Sequence, residues 1–447
     1  MGNPPHGVDP RSLARQAAAS RFARNVGVLV SGTAIGYALT ALISPVLSRI
    51  FDPAAFGLLA LFSSVLSILG EAATGRYELA ILLPKEDEDG ANLLALTVLV
   101  VCGASAITLL GVALAGRPFA QLVKSPEIAP FLWWLPPALL ALGVGAGISH
   151  WMTRRRDFRA ISGAQIYRSA GTAATQMATG FLRTGPIGLI AGRVAGEALA
   201  SIGLALSIPA ADRAFLKRSI RKVEIRRLAH AYRDFPKFSM PQGLVNAISQ
   251  SVPSFLLTAF YDSQIVGFYA MGHRLLYLPS RFLGQAVRQV FLQRSSETQA
   301  HGGDIHRLFT RTTLGLFAMG LVPALIIILF GPPFFRIVLG SNWEEAGVYA
   351  QWMAVWLFFG FVNPPAAVLM QVLRLQQYLL AFDIALLLAR TAALVIGGMA
   401  YSPLTSIALF SIVGAVFNAA LPVAMWWYTR RHRDLRPALS EDDGREP

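Results

Sequence analysis

The fold is decided by one short stretch, Phe51-Asp52-Pro53-Ala54-Ala55-Phe56-Gly57-Leu58-Leu59-Ala60, because the second half of the chain repeats its pattern. Residues 261–270 read Tyr-Asp-Ser-Gln-Ile-Val-Gly-Phe-Tyr-Ala, so an aromatic–Asp pair is again followed, at the same spacing, by Gly and Ala. Each copy lies between the first two long apolar runs of its half. A chance match is the alternative, but the equivalent position in both halves favours an internal duplication.

The composition around this repeat is that of a membrane protein. The chain has 447 residues, of which 54% are hydrophobic and 14% charged, with a mean hydropathy of +0.51. Soluble domains carry about 25% charged residues, so a soluble enzyme is disfavoured. The single cysteine, Cys102, excludes a disulfide framework and a thiolate metal cluster.

Twelve runs are long enough to cross a bilayer as helices, which takes about 20 apolar residues each. A basic loop separates them into two sets of six, and parallel repeats of this kind are related by an axis along the membrane normal. The predicted domains are an N-terminal cytoplasmic segment (1–25), an N-terminal lobe (26–208), an inter-lobe loop (209–237), a C-terminal lobe (238–428) and a cytoplasmic tail (429–447). The predicted helices are Val26–Leu47, Ala54–Leu83, Ala91–Ala115, Ile128–Trp151, Ile161–Leu182, Ile187–Ile208, Met240–Ala259, Ile265–Phe291, Thr312–Phe330, Val348–Leu369, Tyr378–Met399 and Leu404–Tyr428.

Basic residues concentrate in alternate loops, and this asymmetry predicts the orientation. Four arginines precede the first predicted helix, four more lie within 154–159, and nine basic residues lie between Arg213 and Lys237. We therefore expect both termini to be cytoplasmic. The placement of the basic residues is thus explained by the orientation of the chain in the membrane, and nucleic acid is not an expected partner. The loops assigned to the outer side carry Arg49, Arg117, Lys124, Arg183 and Arg336.

The long basic loop also has an apolar pattern. Leu216, Ile220, Val223 and Leu228 recur at near-helical spacing among the arginines and lysines. This pattern predicts an interfacial helix that contacts anionic inner-leaflet lipid. A solvated linker is the alternative.

Charged residues also fall inside the predicted helices, where a charge costs about 2.5–3.5 kcal/mol on insertion scales. Arginines outnumber acids there, so we expect a net positive interior. Arg274, Arg281 and Arg288 are spaced by seven residues and share one helical face, although Arg288 could instead snorkel to the interface. The arginines are Arg76, Arg168, Arg193, Arg274, Arg281, Arg288 and Arg390, and the acids are Glu71, Glu78, Glu197 and Asp383.

Three of these acids have candidate partners. Arg193 and Glu197 are four residues apart and are expected to form an ion pair. Asp383 lies seven residues before Arg390 and could neutralise it. Glu78 follows Arg76 in the second predicted helix, which is interrupted at Gly70 and Gly75 and either lines a cavity there or ends there.

Nothing in the sequence indicates catalysis. The nucleotide-binding pattern G-x-x-x-x-G-K-[ST], the zinc pattern H-E-x-x-H and an evident nucleophile constellation do not occur. We expect a protein that is not an enzyme and has no organic cofactor or metal. A coupling ion, H⁺ or Na⁺, is not identified by the sequence.

Several segments resemble the Wzx-type polysaccharide and O-antigen flippases. They are Ser48–Gly57, Gly75–Pro84, Asp157–Ile161, Gly188–Gly192, Asp234–Pro236 and Gly267–Ala270 with His273-Arg274, and the most specific is Gly75-Arg76-Tyr77-Glu78-Leu79-Ala80-Ile81-Leu82-Leu83-Pro84.

The resemblance implies the multidrug/oligosaccharidyl-lipid/polysaccharide exporter superfamily, whose fold has two six-helix lobes around a central cavity. With the charges above, we expect an all-α integral membrane fold, twelve transmembrane helices in two pseudo-symmetric six-helix lobes around a central cationic cavity. The resemblance implies a bacterial inner membrane protein that moves an undecaprenyl-pyrophosphate-linked oligosaccharide to the periplasmic leaflet. This transport serves the biosynthesis of O-antigen, exopolysaccharide or capsule. Polysaccharide polymerase and chain-length proteins are the candidate protein partners.

Depth and periodicity, rather than the resemblance, select the residues expected to bind the pyrophosphate. Guanidinium binds phosphate bidentately and keeps its charge. Three alternatives stay open: a lipid II flippase, a multidrug exporter of the same superfamily, and a non-transporting scaffold of a glycan-assembly complex. The candidate substrate-binding residues are Arg274, Arg281, Arg168, Arg76, Arg390 and Arg288, with Glu78, Asp383, Arg193 and Glu197 as cavity acids or structural pairs.

Overall fold

A computed structural model describes residues 32, 34–300, 303–373 and 375–431, with the backbone alone at 278–283, 285, 286, 289 and 300. This described part is helical and contains no β-strand. Short 3₁₀ segments at Pro126–Trp134 and Ser341–Trp343 and a π segment at Phe235–Ser239 connect the helices. The helices are α1 Ala34–Ile50, α2 Pro53–Ala73, α3 Tyr77–Ala80, α4 Asp87–Leu122, α5 Leu135–Arg154, α6 Phe158–Phe181, α7 Pro186–Ser207, α8 Ala210–Ser219, α9 Lys222–Ala231, α10 Met240–Phe260, α11 Ser263–Ala300, α12 Ile305–Leu339, α13 Glu344–Val362, α14 Pro364–Val372, α15 Gln376–Ala400 and α16 Pro403–Arg431.

Within the described residues, every predicted transmembrane helix coincides with a helix or a pair of helices, and residues 26–31 and 33 of the first prediction lie outside them. Eight stretches of the described chain are long and apolar enough to cross a membrane. The other four predicted crossings fall on α1, of which a shorter apolar part is described, and on α6, α10 and α11, which are less apolar. The all-α membrane fold is confirmed, and the count of twelve stays a prediction.

The repeated sequence forms the same helix start in both halves. The Asp52 carboxylate accepts a hydrogen bond from the Ala55 amide at 2.8 Å at the start of α2. Asp262 accepts one from the Ile265 amide at 2.9 Å at the start of α11. Each aspartate is therefore an N-cap that satisfies an otherwise unpaired helical N–H.

The repeated glycines bring these two helix starts into backbone contact. A Cβ atom on Gly57 would overlap the carbonyl oxygen of Ser263, and one on Gly267 would overlap that of Pro53. Each such atom would also lie 3.1 Å from the backbone nitrogen of the other glycine. Both positions require glycine, and their reciprocal contacts are those expected of a duplicated motif.

The described chain divides into two compact units. Unit 1 contains the residues up to Ile50 together with Phe62–Gln121 and Pro126–Gln250. Its core surrounds Trp151 and includes the buried residues Leu93 and Leu204. Unit 2 contains Phe51–Leu61, Leu122–Ser125 and the chain from Ser251 onward, with Phe309, Leu369 and Leu421 in one of its buried clusters. The lobe and loop boundaries given above stay a prediction.

The basic loop differs from the predicted single interfacial helix. It forms two helices, α8 and α9, because the chain is extended at Ile220 and Arg221. Buried Asn92 fixes this break, since its side chain donates to the Ser219 carbonyl at 2.9 Å and accepts from the Arg221 amide at 2.8 Å. Leu228 is 1% exposed in the unit 1 core, whereas Val223 is 78% exposed, so the predicted apolar face is divided.

Side chains on α9 also contact the start of α4. Arg227 donates to Glu224 and to Asp89, each at 2.6 Å. The hydrogen bond with Glu224 and the charge of Asp89 raise the pKa of Arg227, which therefore stays charged. The loop is attached to unit 1 by specific polar contacts and is not a free linker.

Candidate functional site

The first cluster of membrane-depth charges lies in unit 1, at the break in the second predicted helix. The helix continues through Gly70, so the predicted interruption there is wrong, and it ends at Ala73. Gly75 and Arg76 have φ values of 57° and 61°, which turn the chain before the short helix α3. The left-handed conformation at Arg76 is uncommon for a residue with a side chain.

This turn places Arg76 between two acids. Arg76 forms an ion pair with Glu71, and its Nη1 lies 3.7 Å from Glu78 Oε1. Glu78 is buried, and its Oε2 has no hydrogen-bond partner among the described residues. Gly243 of α10 packs directly against the Arg76–Glu71 pair, where a Cβ atom would overlap both side chains.

The second cluster joins α6 and α7 of unit 1. The predicted pair is present, with Arg193 Nη1 3.0 Å from Glu197 Oε1. The other carboxylate oxygen of Glu197 lies 2.9 Å from Arg168 Nε, so one acid serves two arginines. Arg168 also donates to Gln165 Oε1 at 2.7 Å. The Glu197 side chain is 4% exposed, whereas those of Arg168 and Arg193 are about one-third exposed.

The third cluster is in unit 2 and surrounds Arg390 of α15. Its guanidinium carbon lies 4.1 Å from the ring centre of Trp356 and 3.7 Å from that of Phe410. The two rings are nearly perpendicular, with their centres 6.1 Å apart, so Arg390 occupies the corner between them. No ion pair to Asp383 is present in the described part of the chain.

Aromatic side chains extend this cluster along α11. Tyr269, His273 and Tyr277 are spaced by four residues, with successive ring centres 6.0 and 5.1 Å apart and nearly parallel. His273 also stacks on Trp356 at 6.0 Å, and Tyr269 meets Phe410 edge to face at 6.2 Å. We call Tyr269, His273, Tyr277, Trp356 and Phe410 the aromatic cluster.

The predicted arginine stripe lies on α11, a single helix throughout. Arg274 is half-buried and has contacts within the protein. The Arg281 side chain lies outside the described residues. Arg288 is exposed and interacts electrostatically with Asp383 of α15, so the acid predicted to neutralise Arg390 is associated with another arginine.

The charges that the sequence predicts to lie within the membrane are distributed unequally between the two units. In unit 1, three arginines (Arg76, Arg168 and Arg193) accompany three acids (Glu71, Glu78 and Glu197), and each arginine contacts an acid. In unit 2, Arg274, Arg281, Arg288 and Arg390 accompany Asp383 alone among the residues predicted from sequence. The positive surplus therefore belongs to unit 2, which makes its helices the candidate anion-binding elements.

Sequence reasoning did not identify Trp356 and Phe410 as partners of Arg390, because they come from α13 and α16. The four-residue spacing of Tyr269, His273 and Tyr277 was a local signal that could have revealed the rest of the aromatic cluster. Among the described residues, no group of three His, Cys, Asp or Glu side chains is arranged to hold a metal ion.

Comparison with known proteins identifies a family and a fold. The model of a family described as "Polysaccharide biosynthesis protein" matches residues 46–348. No curated protein matches the chain.

Three solved structures with similar folds are distant from this chain in sequence. A lipid II flippase, MurJ, in an inward closed conformation is 15% identical, with 89% of this chain and 87% of that chain covered and a TM-score of 0.71. A multidrug resistance MATE transporter in an outward-facing conformation is 12% identical, with coverages of 91% and 95% and a TM-score of 0.54. A MOP superfamily transporter from Pyrococcus furiosus, described as having a binding pocket of reverse polarity, has the same identity and coverages and a TM-score of 0.56. At these sequence identities, the similarities establish a shared fold and do not establish a shared function.

Proposed function

Because the chain belongs to the polysaccharide biosynthesis protein family, we propose that it is a flippase for an undecaprenyl-pyrophosphate-linked oligosaccharide. It carries this lipid from the cytoplasmic to the periplasmic leaflet by alternating access. The glycan and pyrophosphate are too polar for the hydrocarbon core, whereas the polyprenyl tail stays in lipid. The flipped glycan is then assembled into O-antigen, exopolysaccharide or capsule.

The observation that carries this proposal is the positive surplus on α11 and α15 of unit 2. Arginine at membrane depth is costly, and it is retained where it binds a partner or substrate. A pyrophosphate supplies dense negative charge and acceptor oxygens, which the planar guanidinium group matches with paired N–H donors. An exporter of organic cations would instead require acidic binding residues, and unit 2 contributes one acid to the candidate set.

We assign the pyrophosphate first to Arg274 and Arg281. They share one face of α11, and Arg274 is half-buried. Arg76 and Arg168 contact acids of unit 1, and we assign them a secondary role. Arg288 is exposed, and we assign it a lesser part in pyrophosphate binding, at the end of the arginine stripe of α11.

The proposed setting is the bacterial inner membrane, with both termini cytoplasmic. The basic helices α8 and α9 then face anionic inner-leaflet lipid with exposed residues such as Val223. Polysaccharide polymerase and chain-length proteins are the proposed protein partners at the periplasmic side.

The test is surface glycan display in a strain that lacks its own flippase and contains the matching glycan pathway. The double variant Arg274→Gln/Arg281→Gln should abolish display while the protein still inserts at a near-normal level. Arg281→Lys should recover part of the activity, since lysine keeps the charge but loses the bidentate fork. Full display by the double variant would remove these residues from the site.

Two controls make this test specific. Arg336→Gln changes an exposed arginine whose contact to Glu344 is 3.7 Å long, and it should leave display unchanged. A second strain, depleted of its lipid II flippase, tests the competing substrate. Growth rescue there without glycan display in the first strain would replace the proposed substrate with lipid II.

A further inference from the structure

The helices α8 and α9 of the basic loop carry cations of two kinds. Some have partners within unit 1, since Arg213 donates to the Ile208 carbonyl at 2.8 Å and Arg227 donates to Asp89 at 2.6 Å. Others are exposed and form no ion pair with any described residue. We call these the outward cations, and they are Lys217, Arg218, Arg221, Lys222 and Arg226. The outward cations are therefore available to a partner with negative charge.

The outward cations are spread over a surface and do not converge on one point. The helices α8 and α9 have ten residues each, so each is about 15 Å long, and both carry outward cations. Ile220 and Val223 are 41% and 78% exposed among them. A single diphosphate is too small to contact cations along both helices. An anionic leaflet contacts the whole row with its head groups and takes up exposed apolar side chains at the interface.

The helix α9 is weakly stabilised by its own sequence. Its ten residues are fewer than the roughly 12–15 that an isolated helix needs in water. Lys222 lies in its first turn, where a positive charge opposes the helix dipole. Lys222 and Arg226 are four residues apart, and like charges at this spacing destabilise a helix. An anionic surface offsets both effects, so bound lipid stabilises α9.

The other side of α9 is joined to the turn at Arg76. The Tyr77 hydroxyl donates a hydrogen bond to the Ala229 carbonyl at 3.2 Å. Ala229 lies in the last turn of α9, where carbonyl groups have no partner within the helix, so Tyr77 supplies a bond that α9 lacks. Tyr77 and Leu228 of α9 also belong to the same buried cluster. All of these residues are in unit 1.

The turn at Arg76 depends on support of this kind. Its φ of 61° is unfavourable for a residue with a side chain, and such a conformation persists only where the surrounding structure imposes it. Tyr77, the next residue, is attached to α9. Arg154, at the end of α5, donates to the carbonyls of Ile81 and Pro84 at 3.0 and 2.8 Å. The segment is thus held on one side by α9 and on the other by α5.

We propose that anionic phospholipid is an effector of this chain, which binds to the outward cations, stabilises α9 and, through Tyr77, stabilises the turn at Arg76. This role rests on the proposed function for the orientation that places α8 and α9 at the inner leaflet. The coupling is reciprocal, so a change at the turn also changes the affinity for lipid. Because Arg76 is a candidate substrate-binding residue, the lipid composition then regulates part of the candidate site.

Amide hydrogen exchange of the purified full-length chain in nanodiscs tests this coupling. Discs of phosphatidylcholine alone are compared with discs that also contain phosphatidylglycerol. With phosphatidylglycerol, exchange in α9 should slow at least about tenfold, because several cations each gain by contact with an anionic surface. Exchange should also slow, by at least about twofold, at the amides of Tyr77 and Leu79, whose hydrogen bonds to the Thr74 and Arg76 carbonyls form the turn.

Two variants separate binding from coupling. The triple variant Lys217→Gln/Arg218→Gln/Lys222→Gln removes three outward cations and should lose both responses. Tyr77→Phe keeps the buried ring and removes only the hydroxyl that bonds to α9. It should retain the response of α9 and lose that of the turn.

The matched control removes three exposed positive charges outside the loop and should respond like the unchanged chain; it is Arg117→Gln/Arg183→Gln/Arg336→Gln. The proposal would be overturned if phosphatidylglycerol had no effect, if the triple variant of the loop still responded, or if the turn still responded in Tyr77→Phe. Protection of α9 by inorganic pyrophosphate in phosphatidylcholine discs would also overturn it, in favour of a discrete phosphate site. Because no transport is measured, a failure of glycan display in cells leaves this result intact.

Discussion

At the scale of single residues, Glu197 illustrates how a charge network differs from a pair. Its two carboxylate oxygens contact Arg168 and Arg193 on different helices. Removing Glu197 would leave two arginines without their acid, whereas removing Arg193 leaves Glu197 paired with Arg168. The two partners of the predicted pair should therefore have unequal effects on stability.

We expect Glu197→Gln to lower the free energy of unfolding by about 2–3 kcal/mol, since two partly exposed arginines lose the carboxylate they share, and a hydrogen bond to a charged group contributes about 1.5–3 kcal/mol. Arg193→Gln should cost about 1 kcal/mol or less, because the Arg193 side chain is one-third exposed. Thermal unfolding midpoints of the purified variants measure both. Glu344→Gln, in an exposed pair, is the control and should be nearly neutral. Equal effects of Glu197→Gln and Arg193→Gln would show that Arg168 does not depend on Glu197.

The same residues show which charge contacts could be predicted from the sequence alone. The Arg193–Glu197 pair was predictable because it is set by helical spacing. The addition of Arg168 was not, since it requires that α6 pack on α7 with a known rotation. The clamp of Trp356 and Phe410 on Arg390 was equally inaccessible, because three separate helices supply it.

At the scale of elements, the repeated glycines determine how closely α2 and α11 approach. Their helix starts meet through backbone atoms, and each glycine lies against the carbonyl group of the other motif. A side chain at either position must push the two helices apart. Overpacking of this kind costs about 1–3 kcal/mol.

We therefore expect Gly57→Ala and Gly267→Ala each to lower the thermal midpoint of the purified protein. The double variant should cost less than the sum of the two, since the first separation makes room for the second side chain. Gly111→Ala in α4 is the control, because a Cβ atom there meets nothing within 4 Å. It should be neutral or stabilising, since alanine is the better helix former by about 1 kcal/mol. If Gly57→Ala were as stable as Gly111→Ala, the close approach would not exist.

Element boundaries were predictable where the local sequence determines them. The Asp–Pro and Asp–Ser starts of α2 and α11 carry their own caps, and Gly75 marks the end of the second helix. The break between α8 and α9 was missed because Asn92, more than a hundred residues earlier, holds it. The interruption predicted at Gly70 was wrong, since one glycine within a helix does not end it.

At the scale of the whole molecule, apolar length and the repeat predicted an all-α membrane fold before any contact was known. The sequence positions already divide the predicted charges into three arginines and three acids in the first half and four arginines and one acid in the second. Which of these charges contact one another could not be predicted, because pairing is a tertiary property. The central claim that follows is that the chain transfers an anionic, lipid-linked glycan between leaflets.

Accessibility of the lipid-linked oligosaccharide at the outer leaflet of spheroplasts tests this claim most directly. The lipid is labelled in its glycan, and the fraction oxidised by membrane-impermeant periodate is measured with and without the protein. We expect a large accessible fraction with the protein, a small one without it, and a small one with Arg274→Gln/Arg281→Gln at equal abundance. An accessible fraction that does not change when the protein is removed would contradict the account.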